Sequence, residues 1–205
     1  MKICFLRHGP TEWNVQGRVQ GHTDIPLSDA GLARMQNLAP PDPFGPSSAV
    51  RVFSSPSRRA RQTAEALGWP APTVDPRLME QNWGRWEGLI RAEMLARDGE
   101  DCFAKAGLGG EFMPPGGEST NALMARVAAF LKDVASNQGD ALAIAHLGVL
   151  RAAYTLATGW DMRAAMPEGL DVSKALILCL APGGAASLAA MNVDLVNVAL
   201  RPRRA

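Results

Sequence analysis

Arg7 and His8 stand directly after the apolar run Ile3, Cys4, Phe5, Leu6, and the chain then turns at once through Gly9 and Pro10. A second arginine, Arg59, enters the helical pattern behind Val50 to Phe53, and His146 closes the run Ala141 to Ala145. Two guanidinium groups and two imidazoles are thus set at the ends of short apolar runs, with no acidic cluster to match them. Burying such charge costs several kcal/mol unless something pairs with it. The chain has left these groups for an anion, and phosphate fits. A guanidinium offers paired N–H groups to phosphoryl oxygens with a rigidity that an ammonium lacks. Phosphoryl transfer needs little more than a positioned nucleophile and donors aimed at the equatorial oxygens. Each residue alone has a plainer explanation: a lone strand-end histidine is more often a core or surface residue, Arg59 lies between Arg58 and Arg61 and could belong to a solvated face, and Asn14 could cap a turn. Independent structural roles would not repeatedly choose the ends of apolar runs.

Bringing such groups together requires strands that end on a common edge, where helix N-termini add free N–H groups for an anion. Short apolar runs alternating with longer amphipathic ones predict an α/β fold, a three-layer α/β/α sandwich on a mostly parallel central sheet. Strands are expected at Lys2 to Leu6, Val50 to Phe53 and Ala141 to Ala145, and a terminal hairpin at Ala175 to Leu180 and Ser187 to Val193. Ser28 caps a helix reaching Leu38, with Leu27 as its staple. Ser54, Ser55 and Pro56 read as an N-cap and first-turn proline opening the helix from Arg58 to Leu67. Leu123, Val127, Phe130, Leu131 and Val134 recur at helical spacing between Ser119 and Asn137 to Gly139, and a further helix begins at Gly148. From Gly88 to Gly117 the periodicity weakens while glycine and proline accumulate, so this segment of a single domain spanning 1–205 is expected to be a mobile, substrate-selecting lid.

The motif Leu6 to Asn14 (LRHGPTEWN) resembles the Arg-His-Gly-x-Thr-x-x-Asn signature of the histidine phosphatase superfamily, the phosphoglycerate mutase-like proteins. Four further blocks agree in order: GRVQGHTDIPL at 17–27, SSPSRRARQTA at 54–64, LMEQNWGRWEG at 78–88 and AHLGVLR at 145–151, with Gly-Glu-Ser at 117–119. The resemblance implies the phosphoglycerate mutase-like fold and a nucleophile, His8, that takes the phosphoryl group. It implies that Arg7, Arg59 and His146 clamp the phosphoryl oxygens, that Asn14 adds a donor and that Glu80 protonates the leaving oxygen. Gln20 and Gly21 match the block that lines the mouth of the pocket in the family, and Leu147 keeps its backbone N–H beside His146 where glycine is frequent. On this reading the neighbouring arginines lower the proton affinity of His8, and a bound phosphate dianion raises the pKa of Glu80. His22 is expected as a solvent-facing rim residue, Glu87 as a hydrogen-bonding element of its turn, and Ser119 as a helix cap.

Composition narrows the remaining choices. With 205 residues, 47% hydrophobic and a formal net charge of +1, the chain is an ordinary globular one whose overall field recommends neither nucleic acid nor an anionic membrane. Arg201, Arg203 and Arg204 read as a solvated end. Three scattered cysteines suit a reducing cytoplasm better than a disulfide framework, and no apolar stretch approaches the roughly 20 residues of a membrane span. No cofactor or metal is expected, since two histidines beside arginines make a poor divalent site. The expected activity is metal-independent hydrolysis of a small phosphorylated metabolite, releasing inorganic phosphate, with the α-ribazole phosphatase-like branch as the nearest named relative. A mutase-type phosphotransferase is disfavoured by the acidic balance of the lid, where Arg91, Arg97 and Lys105 face Glu93, Asp98, Glu100, Asp101 and Glu111. A non-catalytic phosphate-binding protein should have lost a catalytic position, and none is lost. The protein is expected as a monomer or a homodimer paired through the hairpin edge.

Overall fold

The computed structural model describes residues 1–46, 49–99, 109–163, 169–171 and 173–198. Cys102, Lys105 and the basic terminus at Arg201, Arg203 and Arg204 lie outside them, as does part of the expected lid. In chain order the elements are β1 (Lys2–Arg7), α1 (Glu12–Val15), α2 (Asp29–Gln36), β2 (Leu38–Ala39), β3 (Arg51–Ser54), α3 (Arg58–Ala66), β4 (Thr73–Val74), α4 (Arg91–Asp98), α5 (Thr120–Ala135), β5 (Ala141–Ala145), α6 (Leu147–Thr158), β6 (Ala175–Leu180), β7 (Ala186–Val193) and β8 (Val196–Asn197). Two 3₁₀ turns, Pro76–Leu78 and Gly84–Trp86, precede α4.

Six strands form one sheet in the order β4-β3-β5-β1-β6-β7, and β2 pairs with β8 apart from it. The pairs β4/β3, β3/β5 and β5/β1 are parallel, whereas β1/β6 and β6/β7 are antiparallel, as the hairpin pattern required. Strand periodicity sorts the core into two faces. Ile3 and Phe5 of β1 pack with Ala141 and Ala143 of β5 against Leu123, Val127 and Phe130 of α5 and against α6. Cys4 and Leu6 point the other way, toward Met35 of α2 and Ala60 and Ala64 of α3. Helices therefore cover both faces of a mostly parallel sheet, which is why its central strands read as unbroken apolar runs.

Ser28 caps α2 by accepting the Gly31 N–H at 3.0 Å, and Ser119 caps α5 by accepting that of Ala122 at 3.1 Å. Three sequence expectations need correction. The second helix ends at Gln36, because Leu38 and Ala39 leave it to pair with Val196 and Asn197. The third helix starts at Arg58 with Ser57 as its N-cap residue, one turn position later than Ser54 to Pro56 suggested. Proline biases the residue before it toward extended backbone, and the hydroxyls of Ser55 and Ser57 are both turned to the His146 ring. Within the expected lid, residues 91–98 are helical, and Met94 and Phe112 pack on Trp86 in a small third core.

Candidate active site

The parallel register sets the carboxyl ends of three neighbouring strands level: Arg7 lies opposite Ala145, and Ser54 opposite Ile144. Past those ends the ladder continues for one bond each, from the His8 N–H to the Ala145 carbonyl at 2.9 Å and from the Ser55 N–H to that of Ile144 at 3.0 Å. The chain thereby delivers Arg7 and His8 from β1, His146 from β5 and Arg59 from the start of α3 to one place. The His8 and His146 ring centroids are 5.2 Å apart. Arg59 and His146 are fully buried, and His8 and Glu80 are buried as well.

His8 Nδ1 lies 2.7 Å from the carbonyl oxygen of Gly9. A carbonyl only accepts, so Nδ1 carries the proton and Nε2 keeps a free lone pair. Burial holds the His8 pKa well below its ordinary value, with Arg7 and Arg59 adding to the effect and the Gly9 bond opposing it. Gly9 is itself fixed, its N–H donating to Thr63 Oγ1 at 2.9 Å. Arg59 is held from behind: Nη1 donates to the Thr23 carbonyl at 3.0 Å and Nη2 to that of Gly21 at 2.8 Å. Its Nε, the Nε of Arg7 and Nδ1 of His146 are buried without a hydrogen-bond partner. Buried orphan donors are rare and cost about 1–3 kcal/mol each, so the two guanidinium Nε groups are available to an anion. His146 Nε2 lies 2.8 Å from Ser55 Oγ, and burial, then His8, keeps this ring well below its ordinary pKa too.

Glu80 comes from the irregular stretch between the two 3₁₀ turns. Its Oε1 accepts the N–H groups of Gln81 at 2.8 Å and Gly148 at 3.0 Å, the latter at the start of α6. Burial raises its pKa, against those two bonds and the nearby Arg7 and Arg59. The raised pKa expected from a bound phosphate is therefore already set by burial alone. The backbone carbonyl of Glu80 is gripped by Arg126 Nη2 and His22 Nε2, both at 3.0 Å, and Arg126 is ion-paired to Glu118 at 2.7 Å. His22 is exposed, as expected of a rim residue, yet its ring fastens Glu80. Glu118, just before the cap residue Ser119, is the carboxylate that positions Arg126.

A cleft of about 200 Å³ opens over this group, and Arg7, His8, Glu80, Asn14, Gln20 and Leu147 lie on its wall. Gly21, Arg59 and His146 do not line it, although the His146 ring lies against that of His8. Asn14 does both things considered for it, facing the cleft while its Oδ1 accepts from the Thr11 N–H at 3.0 Å and closes a capping box on α1. Gln20 Nε2 donates to Thr11 Oγ1 at 2.6 Å. Glu87 takes the hydrogen-bonding role expected of it and clasps the 21–23 loop: Oε1 accepts the His22 N–H and Oε2 the Thr23 N–H, both at 2.7 Å. Burial works against its ionised form, but these bonds win and hold its pKa below the ordinary value. Sequence reasoning missed Ser55, whose hydroxyl orients His146, and Arg151, which stands on the cleft wall. The signal for Arg151 was present, a cation in the first turns of an otherwise apolar helix.

Among the described residues no group of three or more His, Cys, Asp or Glu could hold a metal ion, and no helix is long and apolar enough to cross a membrane. Cys4 is buried and Cys179 half-buried, both as free thiols. The chain is 32% identical over 142 residues to a glucosyl-3-phosphoglycerate phosphatase of Mycobacterium tuberculosis, a match covering 68% of this chain and 62% of that relative. It is 32% identical over 155 residues to an adenosylcobalamin/alpha-ribazole phosphatase of Salmonella typhimurium, covering 73% of this chain and 76% of the relative. A crystal structure from Thermus thermophilus superposes with a TM-score of 0.68 at 30% identity, covering 95% of this chain and 100% of that one. The family model for the histidine phosphatase superfamily, branch 1, matches residues 3–193, and with strand ends, buried imidazoles and guanidinium groups in agreement, the chain belongs to that family.

Proposed function

We propose that the protein hydrolyses phosphomonoesters of small metabolites through a phosphohistidine on His8, without a metal. One observation carries this reading: the bond from Nδ1 to the Gly9 carbonyl leaves Nε2 proton-free beside the Arg7 and Arg59 guanidinium groups, whose Nε donors are buried without a partner. The Nε2 lone pair attacks phosphorus and the ester P–O bond breaks. Protonated Glu80 gives its proton to the departing oxygen, so an alcohol leaves and Glu80 becomes a carboxylate. That carboxylate then takes a proton from water, whose oxygen attacks phosphorus. The N–P bond breaks, inorganic phosphate departs, and Glu80 is protonated for the next cycle. Arg7, the free Nε of Arg59, Nδ1 of His146 and the Asn14 amide supply donors for the equatorial oxygens. The similarity to the alpha-ribazole phosphatase makes a phosphorylated nucleoside-like alcohol the first ester to assay.

A mutase would need further cations to hold a second phosphate and to keep water from the phosphohistidine. In the described part of 88–117, Arg97 is engaged by the Arg85 carbonyl at 2.9 Å, and Glu93 pairs with Arg18 at 3.2 Å. The decisive assay is hydrolysis of p-nitrophenyl phosphate beside a separate assay with 3-phosphoglycerate and 2,3-bisphosphoglycerate. Phosphate release without isomerisation is expected, together with at least about a 1000-fold loss in folded His8→Ala. Undiminished turnover in that variant overturns the assignment.

A further inference from the structure

Beside the catalytic cleft lies a second cavity, also of about 200 Å³, and the two share Val19, Gln81, Trp83, Gly148 and Arg151 as common walls. Beyond those walls the described residues that line the second cavity are Trp86, Met94, Phe112, Leu123 and Met162, all buried and apolar, with Gly109 and Thr120. The Phe112 ring centroid lies 5.7 Å from that of Trp83 and 6.2 Å from that of Trp86, so the three rings pack on one another and form one aromatic wall of the cavity. Trp86 is fixed in this frame by its indole N–H, which donates to Asp98 Oδ2 at 2.6 Å.

We propose that this chamber receives the alcohol half of the substrate, and that the alcohol ends in an aromatic or heteroaromatic ring. The inference rests on the phosphomonoesterase reading above and names its substrate class. Size comes first: an apolar cavity of about 150 Å³ stays dry and takes up benzene, so this one accepts one ring or a fused pair. Polarity points the same way. The Gln81 amide nitrogen at the common wall is spent on the Glu118 carbonyl at 2.9 Å. Among the described residues the other polar side chains of the lining are Thr120, whose hydroxyl donates to the Phe112 carbonyl at 3.3 Å, and Arg151 at the junction, so a hydroxyl-rich alcohol would lose its water against few partners there, and each unpaired hydroxyl is costly. A planar ring instead gains offset or edge contacts with three neighbours. Arg151 stands exposed at the junction, its guanidinium carbon 5.5 Å from the Trp160 ring centroid and without an ion-pair partner among the described residues. Glu80, on the wall of the cleft, is hydrogen-bonded to the Gly148 N–H of the common wall. The oxygen it protonates therefore departs beside the chamber.

The test compares 3-phenylpropyl phosphate with propyl phosphate, whose leaving groups have nearly the same basicity, so that kcat/KM reads the ring alone. The wild-type protein should favour the phenyl ester by roughly 10- to 100-fold. Met94→Trp, filling the chamber from α4, should bring that ratio down at least about tenfold. If this variant does not fold, product inhibition decides: 3-phenylpropan-1-ol should inhibit the wild-type protein at far lower concentration than propan-1-ol. Equal kcat/KM for the two esters, or equal inhibition by the two alcohols, with turnover still dependent on His8, overturns the chamber and leaves the hydrolase standing. Absence of His8-dependent turnover on both esters overturns both.

Discussion

Burial moves His8 and Glu80 in opposite directions, and both shifts suit the proposed reaction. The imidazole is kept neutral and the carboxyl is kept protonated toward higher pH than an exposed glutamate. For an alkyl phosphate, whose leaving oxygen needs a proton, kcat should fall as pH rises through the raised Glu80 pKa. Glu80→Gln should erase that limb and cost about 10²- to 10⁴-fold, far less for p-nitrophenyl phosphate, whose leaving group is already a stable anion. A pH–rate profile on both esters checks this. The same shifts enter stability. The folded pKa values of His8 and His146 are lowered, so below about pH 6.5 the unfolded chain takes up protons that the folded chain refuses. Their contribution is present above that pH and is lost as pH falls toward the depressed folded values. His146→Asn should therefore show a shallower fall in melting temperature between about pH 6.5 and 5, read by calorimetry. Arg59→Lys tests the guanidinium geometry: an ammonium cannot bond the Gly21 and Thr23 carbonyls and still aim a donor at His8. A loss of about 2 kcal/mol in stability and a large loss in kcat/KM are expected from denaturant titration and kinetics.

Helix α6 meets the carboxyl of Glu80, the proposed acid, through a glycine. A Cβ at Gly148 would lie 2.3 Å from Glu80 Oε1, so Gly148→Ala forces the carboxyl aside while favouring the helix by up to about 1 kcal/mol. An unchanged melting temperature with kcat reduced at least about tenfold is the expected outcome. Elements of this kind were legible where burial was two-sided. Residues 2–6 and 141–145 read as strands because helices cover both faces, and the stretch after Ser119 read as a helix because Leu123, Val127, Phe130 and Val134 bury one stripe; the observed spans are 2–7, 141–145 and 120–135. What escaped were elements that exist only through tertiary pairing. The two-residue β2 forms because Val196 and Asn197 arrive beside it, and the 12–15 turn forms because Thr11 and Asn14 cap each other. Helix α4 was hidden among glycines and prolines, and its apolar contacts are to Trp86 and Phe112 rather than to the main core. The site divides the same way. Arg7, His8, Arg59 and His146 advertised themselves as guanidinium and imidazole groups at the ends of apolar runs, whereas Glu80 lies in an irregular stretch and only the family resemblance pointed to it.

At the scale of the whole molecule, the ends of parallel strands carry the functional groups and the antiparallel β6 and β7 extend the sheet to one edge. An anion held as proposed, by residues at the ends of β1 and β5 and the start of α3, would tie together segments far apart in sequence, so its binding should be felt globally. Orthovanadate at about 100 times its dissociation constant should add about 2.7 kcal/mol, a rise of roughly 5–10 °C in melting temperature by differential scanning fluorimetry. Dialysis against EDTA should change neither that shift nor the rate of hydrolysis. The clasp of Glu87 on the 21–23 loop reaches further than its position suggests. That loop supplies both carbonyls that hold Arg59, so a half-buried carboxylate outside the cleft stands two hydrogen bonds away from the buried guanidinium. A random-mutagenesis screen scored on growth or colour would therefore rank position 87 among the indispensable ones and invite a chemical role for a side chain whose work is carpentry.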